Sequence, residues 1–404
     1  MSFQWREGNQ VSLLINGEAY FPRLFECIRA ARKEVLLETF IIFEDQVGQE
    51  LQQALIEAAE RGVRVELTVD GYGTADLGRE FVQAMVRAGV NIYVFDPSPR
   101  RFGVRLNLFR RLHRKIVVID GECAFVGGIN YSADHLSDFG ETAKQDYAVE
   151  VRGPIVADLH AASLQVLHPD LQQPSRVRPV TNYAGHARAL LAVRDNQRHT
   201  RDIEVQYLRA IRSADHRLVL ANAYFFPGYR LLREIRNAAR RGVAVTLILQ
   251  GQPDMPWVRA FSRLLYNYLL RDGVMIYEYC ERPLHGKVAL VDHEWSTVGS
   301  SNLDPLSLAL NLEANLIIRD AALNRHLGHH LLTLAAEHCK RISLERVVRG
   351  YWWRAPLIFL CFHFLRRFPA IAGWLPAHAP SLAPLHQDGE RTRTRTLYDQ
   401  GKAS

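Results

Sequence analysis

One pattern occurs twice in this chain of 404 residues. His113-Arg-Lys-Ile-Val-Val-Ile-Asp-Gly-Glu-Cys-Ala-Phe-Val-Gly-Gly-Ile-Asn130 and His285-Gly-Lys-Val-Ala-Leu-Val-Asp-His-Glu-Trp-Ser-Thr-Val-Gly-Ser-Ser-Asn302 both read H-x-K-x4-D-x6-G-x2-N. The apolar run between Lys and Asp predicts a buried strand in each copy, with His and Lys at its entrance. Side chains two apart on a strand share a face. His113 and Lys115 therefore point together, as do His285 and Lys287. An imidazole beside an ammonium suits an oxyanion or a phosphate.

The flanks of the two copies also correspond. Tyr20 to Arg32 has helical spacing, and Glu34 to Phe43 reads as a buried strand. A helix from Gly48 to Ala59 stops at Arg61-Gly62, where glycine supplies the C-terminal cap. Val63–Asp70 is a strand, Phe81–Arg87 a helix and Val90–Phe95 a strand broken by Pro97 and Pro99. In the second half Arg217–Phe226 replays the first strand, Ile235–Arg241 with Gly242 the helix stop, and Asp272-Gly-Val274 repeats Ala88-Gly-Val90. An offset of about 172–184 residues is too long for a solenoid repeat. It predicts a duplicated α/β domain, each half a mixed sheet flanked by helices, with the motifs meeting at a pseudo-two-fold axis. The expected units are 1–167 and 189–345, joined by a linker at 168–188 carrying Pro169, Pro174, Pro179 and Gly185. Residues 346–384 are expected to be an amphipathic membrane-associating segment, and the polar stretch 385–404 to be disordered.

A hydrophobic content of 48% is enough to bury real cores. The net charge of +7 favours anionic partners, and by itself does not choose between phospholipid and nucleic acid. Cys27, Cys123, Cys280, Cys339 and Cys361 form no C-x-x-C pair, which predicts free thiols in a reducing compartment. The N-terminus has no apolar signal region, and no run reaches the roughly 18 apolar residues that span a bilayer. Work on lipid would then proceed from the water side.

The doubled motif resembles the HKD signature of the phospholipase D superfamily. Asn222-Ala-Tyr-Phe-Phe-Pro-Gly-Tyr229, Arg282-Pro-Leu-His-Gly-Lys287 and Gly299-Ser-Ser-Asn-Leu-Asp-Pro-Leu306 resemble its bacterial cardiolipin synthase branch, in the short form without N-terminal membrane spans. The resemblance runs from about Trp5 to about Pro380. It implies two phospholipase D-like domains and phosphatidyl transfer between two phosphatidylglycerol molecules, giving cardiolipin and glycerol without a metal or cofactor.

The same resemblance assigns roles. One imidazole attacks phosphorus to form a phosphohistidine, and the other gives a proton to the leaving alcohol and takes one from the acceptor. Lys115, Lys287, Asn130 and Asn302 would hold the phosphoryl oxygens. Precedent in the family puts the nucleophile in the N-terminal motif, hence His113, with His285 as general acid/base. The two rings need opposite protonation states at one pH. Asp120 and Asp292 belong to the motif and are expected to brace a loop. In the superfamily an acidic residue downstream of each motif orients its histidine. The candidates are Asp146 and Glu313, 33 and 28 residues after the histidine of their own half. Glu38 and Asn222 read as matching positions on the first strands, where they would contact a glycerol hydroxyl.

Two stretches favour a lipid. Arg100–His113 interleaves five arginines with Phe102, Val104, Leu106, Leu108, Phe109 and Leu112, which suits the boundary between headgroups and acyl chains. Nucleic-acid sites favour stacking rings over Leu and Val. Tyr351–Leu375 sets Trp352, Trp353, Trp374, Arg354, Arg366 and Arg367 around an apolar core too short to span. The amphipathic stretch Trp257–Leu270 reads as core. The expected partners are phosphatidylglycerol and an anionic membrane surface, with peripheral attachment at the cytoplasmic face of the cell membrane. A phosphodiesterase hydrolysing phospholipid or nucleic acid could use the same site. A lipid-binding scaffold with a dead site has no reason to keep both motifs intact.

Overall fold

The computed structural model describes residues 4–97, 111–167, 177–252, 256–345 and 381–385, with 356–357, 360, 363–364, 367 and 395–396. The first half runs β1 (Arg6–Ile15), α1 (Asn16–Ala30), β2 (Glu34–Thr39), α2 (Gln46–Glu60), β3 (Arg64–Asp70), α3 (Arg79–Arg87), β4 (Asn91–Phe95), β5 (Ile116–Ile119), β6 (Cys123–Gly127), β7 (Tyr147–Arg152) and α4 (Ile155–Leu167). The second runs β8 (Ala187–Arg194), α5 (Asp202–Arg212), β9 (Arg217–Asn222), α6 (Tyr229–Arg240), β10 (Ala244–Gln250), α7 (Pro256–Leu270), β11 (Met275–Tyr279), β12 (Lys287–Val291), β13 (Trp295–Gly299), α8 (Pro305–Ala309), β14 (Glu313–Arg319), α9 (Ala321–Glu337) and β15 (Cys339–Arg341). Two further strands follow, β16 (Ser381–Leu385) and β17 (Arg395–Thr396).

Apart from β17, the sheets repeat strand for strand. The first is ordered β1-β7-β6-β5-β2-β3-β4-β16-β17 and the second β8-β14-β13-β12-β9-β10-β11-β15. β2, β3 and β4 are parallel, as are β9, β10 and β11, while the motif strands β5 and β12 run antiparallel beside β2 and β9. Parallel neighbours need crossover helices, and these cover the sheets. β1 joins the two sheets, pairing with β7 along Gln10–Ile15 and with β8 at Arg6 and Asn9.

The outer face of each sheet carries the crossover helices. Tyr20, Phe21, Leu24, Phe25 and Ile28 recur at helical spacing on α1 and are buried against the first sheet. Leu231, Leu232 and Ile235 of α6 do the same on the second. The inner faces share one core. Leu36 and Val118 of the first sheet, Val219 and Leu290 of the second, and Leu159 of α4 with Leu327 and Leu331 of α9 belong to a single buried cluster. Removing any such Leu side chain would cost about 2–5 kcal/mol. That shared core packs the two halves against each other.

Several expectations shift in register or place. The strand expected through Phe43 ends at Thr39, and the one expected through Phe226 ends at Asn222. Beyond those points the chain leaves the sheet to make matching bridges, Ile42 with Tyr131 and Phe225 with Leu303, just past the motif asparagines. The first helix starts at Asn16, whose φ of 60° marks the bend out of β1. From Ser262 onward α7 buries Leu264, Leu265, Tyr266 and Leu269 in the core, as its spacing predicts.

The C-terminal region departs from expectation at Ser381–Leu385, which pairs antiparallel with β4, and at Arg395–Thr396, which pairs with it in turn. The free edge of β4 offers unpaired N–H and C=O groups, and Leu382 is buried with Phe95, Leu112 and Leu312. These residues are therefore sheet edge, neither membrane segment nor disordered tail. Of the remainder of 346–404, Pro356, Leu357, Leu360, His363, Phe364 and Arg367 are helical and exposed, and the other residues lie outside the described residues. Residues 100–110 of the basic stretch and 168–176 of the linker also lie outside them; Val177 to His186 is irregular chain on the body. Cys27, Cys123 and Cys339 are free thiols, and Cys361 falls outside the described residues. Among the described residues no helix is long and apolar enough to cross a membrane.

Candidate active site

The sheets deliver the two motifs to one place through the chain just before each histidine. Leu112 forms a parallel bridge with Leu312, and Leu284 with Gln145. In the first, His113 N donates to Leu312 O at 2.9 Å and Leu312 N to Arg111 O at 2.8 Å. In the second, His285 N donates to Gln145 O at 2.8 Å and Gln145 N to Pro283 O at 2.9 Å. Each motif entrance is thus hydrogen-bonded to the strand entrance of the other half. The ends of β3 and β10 hold the same loops, since Leu112 N donates to Asp70 Oδ2 and Leu284 N to Gln250 Oε1.

These bridges decide which carboxylate meets which ring. The family pattern of an acidic residue downstream of each motif suggests Asp146 for His113 and Glu313 for His285. The structure exchanges them: His113 Nδ1 lies 2.9 Å from Glu313 Oε2, and His285 Nδ1 lies 2.6 Å from Asp146 Oδ2. The reason is the backbone, because Glu313 and Asp146 each follow the residue bridged to the opposite motif. Both carboxylates are fully buried. A carboxylate on Nδ1 favours the tautomer with that proton and leaves Nε2 to react. At His285 the Lys287 Nζ also lies 3.0 Å from Nδ1 and competes for it. Among the described residues neither Nε2 has a hydrogen-bond partner. The His113 and His285 side chains retain 12% and 15% exposure, so the rings are reachable from one side.

The lysines are more deeply buried than the histidines. Lys115 Nζ donates to His113 O at 2.8 Å, and Lys287 Nζ donates to His285 O. Burial pushes Lys115 down to about 7, with Glu313 opposing the shift and Lys287 adding to it. Burial likewise pushes Lys287 down to about 8 against the pull of Asp146 and Glu313. Both histidines are held below their ordinary value, chiefly by burial. At His113 the Glu313 carboxylate opposes this, and at His285 the charges of Lys287, Lys144 and Lys115 deepen it. Four basic groups thus press on one another, and the buried Glu313 and Asp146 carboxylates offset this only in part. A bound phosphodiester would relieve that repulsion. Asn130 and Asn302 sit buried beside the motifs, each with an amide oxygen that has no partner. Turning either amide over would present N–H donors at the same place.

Asp120 and Asp292 lie at the far ends of the motif strands, about 17 Å from their lysines at roughly 3.3 Å per residue. Their φ values of 54° and 50° place them in the left-handed region. Asp120 accepts the N–H groups of Arg32, Lys33 and Glu34, and Asp292 those of Asp215, His216 and Arg217. They brace the loops entering β2 and β9 and do not reach the histidines.

Glu38 and Asn222 are not equivalent. Lys287 stands opposite Asn222, whereas Glu38 stands opposite Ile116. The counterpart of Asn222 is therefore Thr39, and a one-residue slip puts a side chain on the other face. Glu38 is instead in a buried ion pair with Arg114 at 2.8 Å. Asn222 Oδ1 accepts Leu303 N at 3.1 Å, and its Nδ2 is buried without a partner.

The site also contains residues that the motif does not signal. Ser300 Oγ donates to Glu313 Oε2 at 2.5 Å. His135 is fully buried, with its ring 5.5 Å from that of His285. Its spacing of five residues from Asn130 has no echo in the second half, where Ser307 occupies that position. Two clusters offer three possible metal ligands each: His135 with Asp146 and His285, and Cys27 with Cys123 and Glu150. Lys144 and Lys287 beside the first, and Arg23 and Arg152 on Glu150 in the second, oppose a cation.

A duplicated α/β fold that brings one H-x-K-x4-D entrance from each half to a shared join is the architecture of the phospholipase D class. The family described as "Cardiolipin synthase, PLD-like domain" matches residues 24–165 and 207–334. The chain belongs to that family. It is 53% identical over 390 residues to Cardiolipin synthase B of Salmonella typhi, covering 95% of this chain and 94% of the relative. It is 51% identical over 401 residues to Cardiolipin synthase B of Escherichia coli, covering 97% and 96%. The crystal structure of phosphatidylserine synthase from Haemophilus influenzae superposes with a TM-score of 0.66 at 14% identity, covering 88% of this chain and 92% of that one, which supports the fold.

Proposed function

We propose that the protein is a phosphatidyltransferase that joins two phosphatidylglycerol molecules into cardiolipin and releases glycerol. The observation that carries this reading is the pair of crossed dyads, His113–Glu313 and His285–Asp146, set between two buried lysines. Identity above 50% over nearly the whole chain to proteins named Cardiolipin synthase B supports the lipid substrate.

In the first step Nε2 of one neutral ring attacks the phosphorus of a phosphatidylglycerol. The bond to the glycerol headgroup breaks, and the other ring, protonated, gives its proton to the departing oxygen. Phosphatidyl-histidine and glycerol result. In the second step the now neutral acid ring takes the proton of a headgroup hydroxyl on a second phosphatidylglycerol. That oxygen attacks phosphorus, the P–N bond breaks and the first ring is restored. Lys115 and Lys287 balance the phosphoryl charge, with Asn130 and Asn302 as further donors. Family resemblance assigns the attack to His113 and the proton transfers to His285. Burial holds both rings below the ordinary imidazole value and does not distinguish them. Mapping the phosphorylated peptide tests the assignment.

Reaction with a membrane lipid calls for attachment from the water side. The net charge of +7 supports peripheral binding at an anionic membrane surface, which we propose is the cytoplasmic face. The test is mass spectrometry of lipid products from purified protein on phosphatidylglycerol vesicles. Cardiolipin with glycerol is expected from the wild type and neither from His113→Ala or His285→Ala. Phosphatidic acid alone would make water the acceptor, and cleavage of DNA without any lipid product would replace the lipid reading.

A further inference from the structure

We propose that His135 is a positioning residue for the Asp146–His285 pair, supplying from the first half what Ser300 supplies to Glu313–His113 in the second. The proposal rests on the two-histidine reading of the site and adds a residue outside both motifs.

The two carboxylates are equivalent in the fold, but the second donors beside them are not. Glu313 accepts His113 Nδ1–H and the Ser300 hydroxyl on the same oxygen. The position equivalent to Ser300 is Gly128, and a Cβ there would stand 2.4 Å from Asp146 Oδ1. Asp146 therefore cannot be served by a side chain from that position. His135 approaches from elsewhere. Its Nε2 accepts Asn130 N–H at 3.3 Å, so in the neutral ring the proton is on Nδ1. That Nδ1 is buried, has no hydrogen-bond partner and lies 3.8 Å from Asp146 Oδ2, the oxygen that holds His285. A closing movement of well under 1 Å would complete the bond. Burial holds His135 well below the ordinary imidazole value, which keeps it neutral and a single-proton donor.

This arrangement gives His135 two jobs. Through Nε2 it fixes the backbone of Asn130, the last motif residue. Through Nδ1–H it steadies Asp146 and shares the charge that would otherwise act wholly on His285. The charged and titratable groups facing it are Asp134, Asp146, His285, Lys144 and Lys287. Lys144 is paired with Asp134, so Asp146, His285 and Lys287 are the groups left to respond.

Two substitutions separate the jobs. His135→Gln keeps an acceptor for Asn130 N–H and removes the donor facing Asp146. His135→Asn keeps a short N–H near the Nδ1 position and loses the acceptor. The readouts are kcat against pH on phosphatidylglycerol vesicles and on bis(p-nitrophenyl) phosphate, with thermal midpoints alongside. Outer groups that orient a histidine typically matter by about 10- to 100-fold where they have been removed from metal sites. His135→Gln should lower kcat by about tenfold, and one limb of the pH profile should move to higher pH, because an unshared Asp146 stabilises the His285 imidazolium. His135→Asn should restore that limb. Ser300→Ala should move the other limb. Equal losses in both His135 variants that follow the thermal midpoint, with both limbs unmoved, would overturn the proposal. Wild type that cleaves the aryl diester but makes no lipid product would count against the lipid substrate and leave the His135 comparison standing. Wild type inactive on both would count against both.

Discussion

His113 takes its carboxylate from the opposite half of the molecule: its Nδ1 lies 2.9 Å from Glu313 Oε2, across 200 residues of sequence. The reciprocal pair, His285 with Asp146, closes the exchange at 2.6 Å. Neither half contains a complete dyad, so on the proposed mechanism the two halves are active only as a pair. Glu313→Gln keeps the shape and removes the charge. It should lower kcat by roughly 10²- to 10⁴-fold with little change in thermal midpoint, and Asp146→Asn should do the same. Steady-state rates beside thermal melts test this, and a variant retaining full kcat would show that the carboxylates are not needed.

The buried lysines give a pH dependence whose sign can be stated. Folding lowers Lys115 to about 7 and Lys287 to about 8. Between those values and the ordinary lysine value, the unfolded chain binds more protons than the folded one, so stability rises with pH across that window. Substrate binding runs the other way. The free enzyme loses charge at Lys115 first, so KM should rise above about pH 7, approaching tenfold per pH unit for one proton. Titrating KM and the denaturation midpoint over the same buffers checks both slopes.

Lys115→Met follows from the same observation. It removes a buried charge that repels Lys287 and fits the cavity with an apolar chain. The thermal midpoint at neutral pH should rise while kcat falls by at least about 100-fold, a stability–activity exchange. A lower midpoint would mean that Lys115 stabilises the fold.

Asp120 and Asp292 should behave as structural residues. Asp120→Ala leaves three backbone N–H groups to find other partners and puts a less tolerant residue at positive φ. The expected cost is about 1–3 kcal/mol, read by chemical denaturation, with kcat per folded molecule unchanged. A large loss of kcat without loss of stability would place Asp120 in the chemistry.

Gly128→Ala should act on His285 at a distance. The new Cβ would lie 2.4 Å from Asp146 Oδ1, so Asp146 must shift away from its 2.6 Å contact. We expect kcat to fall at least about tenfold, since an orienting group has moved. Activity equal to wild type would mean that Asp146 tolerates displacement.

Much of this was legible in the sequence. The motif strands, the glycine helix stops at Gly62 and Gly242 and the duplication itself follow from local patterns, and apart from β17 the sheets repeat strand for strand. The crossing of Asp146 and Glu313 was not legible, because it depends on the bridges Leu112–Leu312 and Gln145–Leu284 between distant segments. Glu38 reads as the counterpart of Asn222 because adjacent polar residues at a strand end hide a one-residue slip; register assigns that place to Thr39. His135 carries no periodic signal and has no partner in the repeat. The strand Ser381–Leu385 owes its conformation to the distant edge of β4, which composition does not reveal.

The central claim is a double displacement at phosphorus shared by His113 and His285. The most direct measurement is the stereochemical course of transfer from a phosphatidylglycerol made chiral at phosphorus. Two in-line displacements through a histidine give net retention in the cardiolipin formed, with no product from His113→Ala or His285→Ala. Net inversion would mean that the acceptor attacks phosphatidylglycerol directly, and would contradict the covalent intermediate.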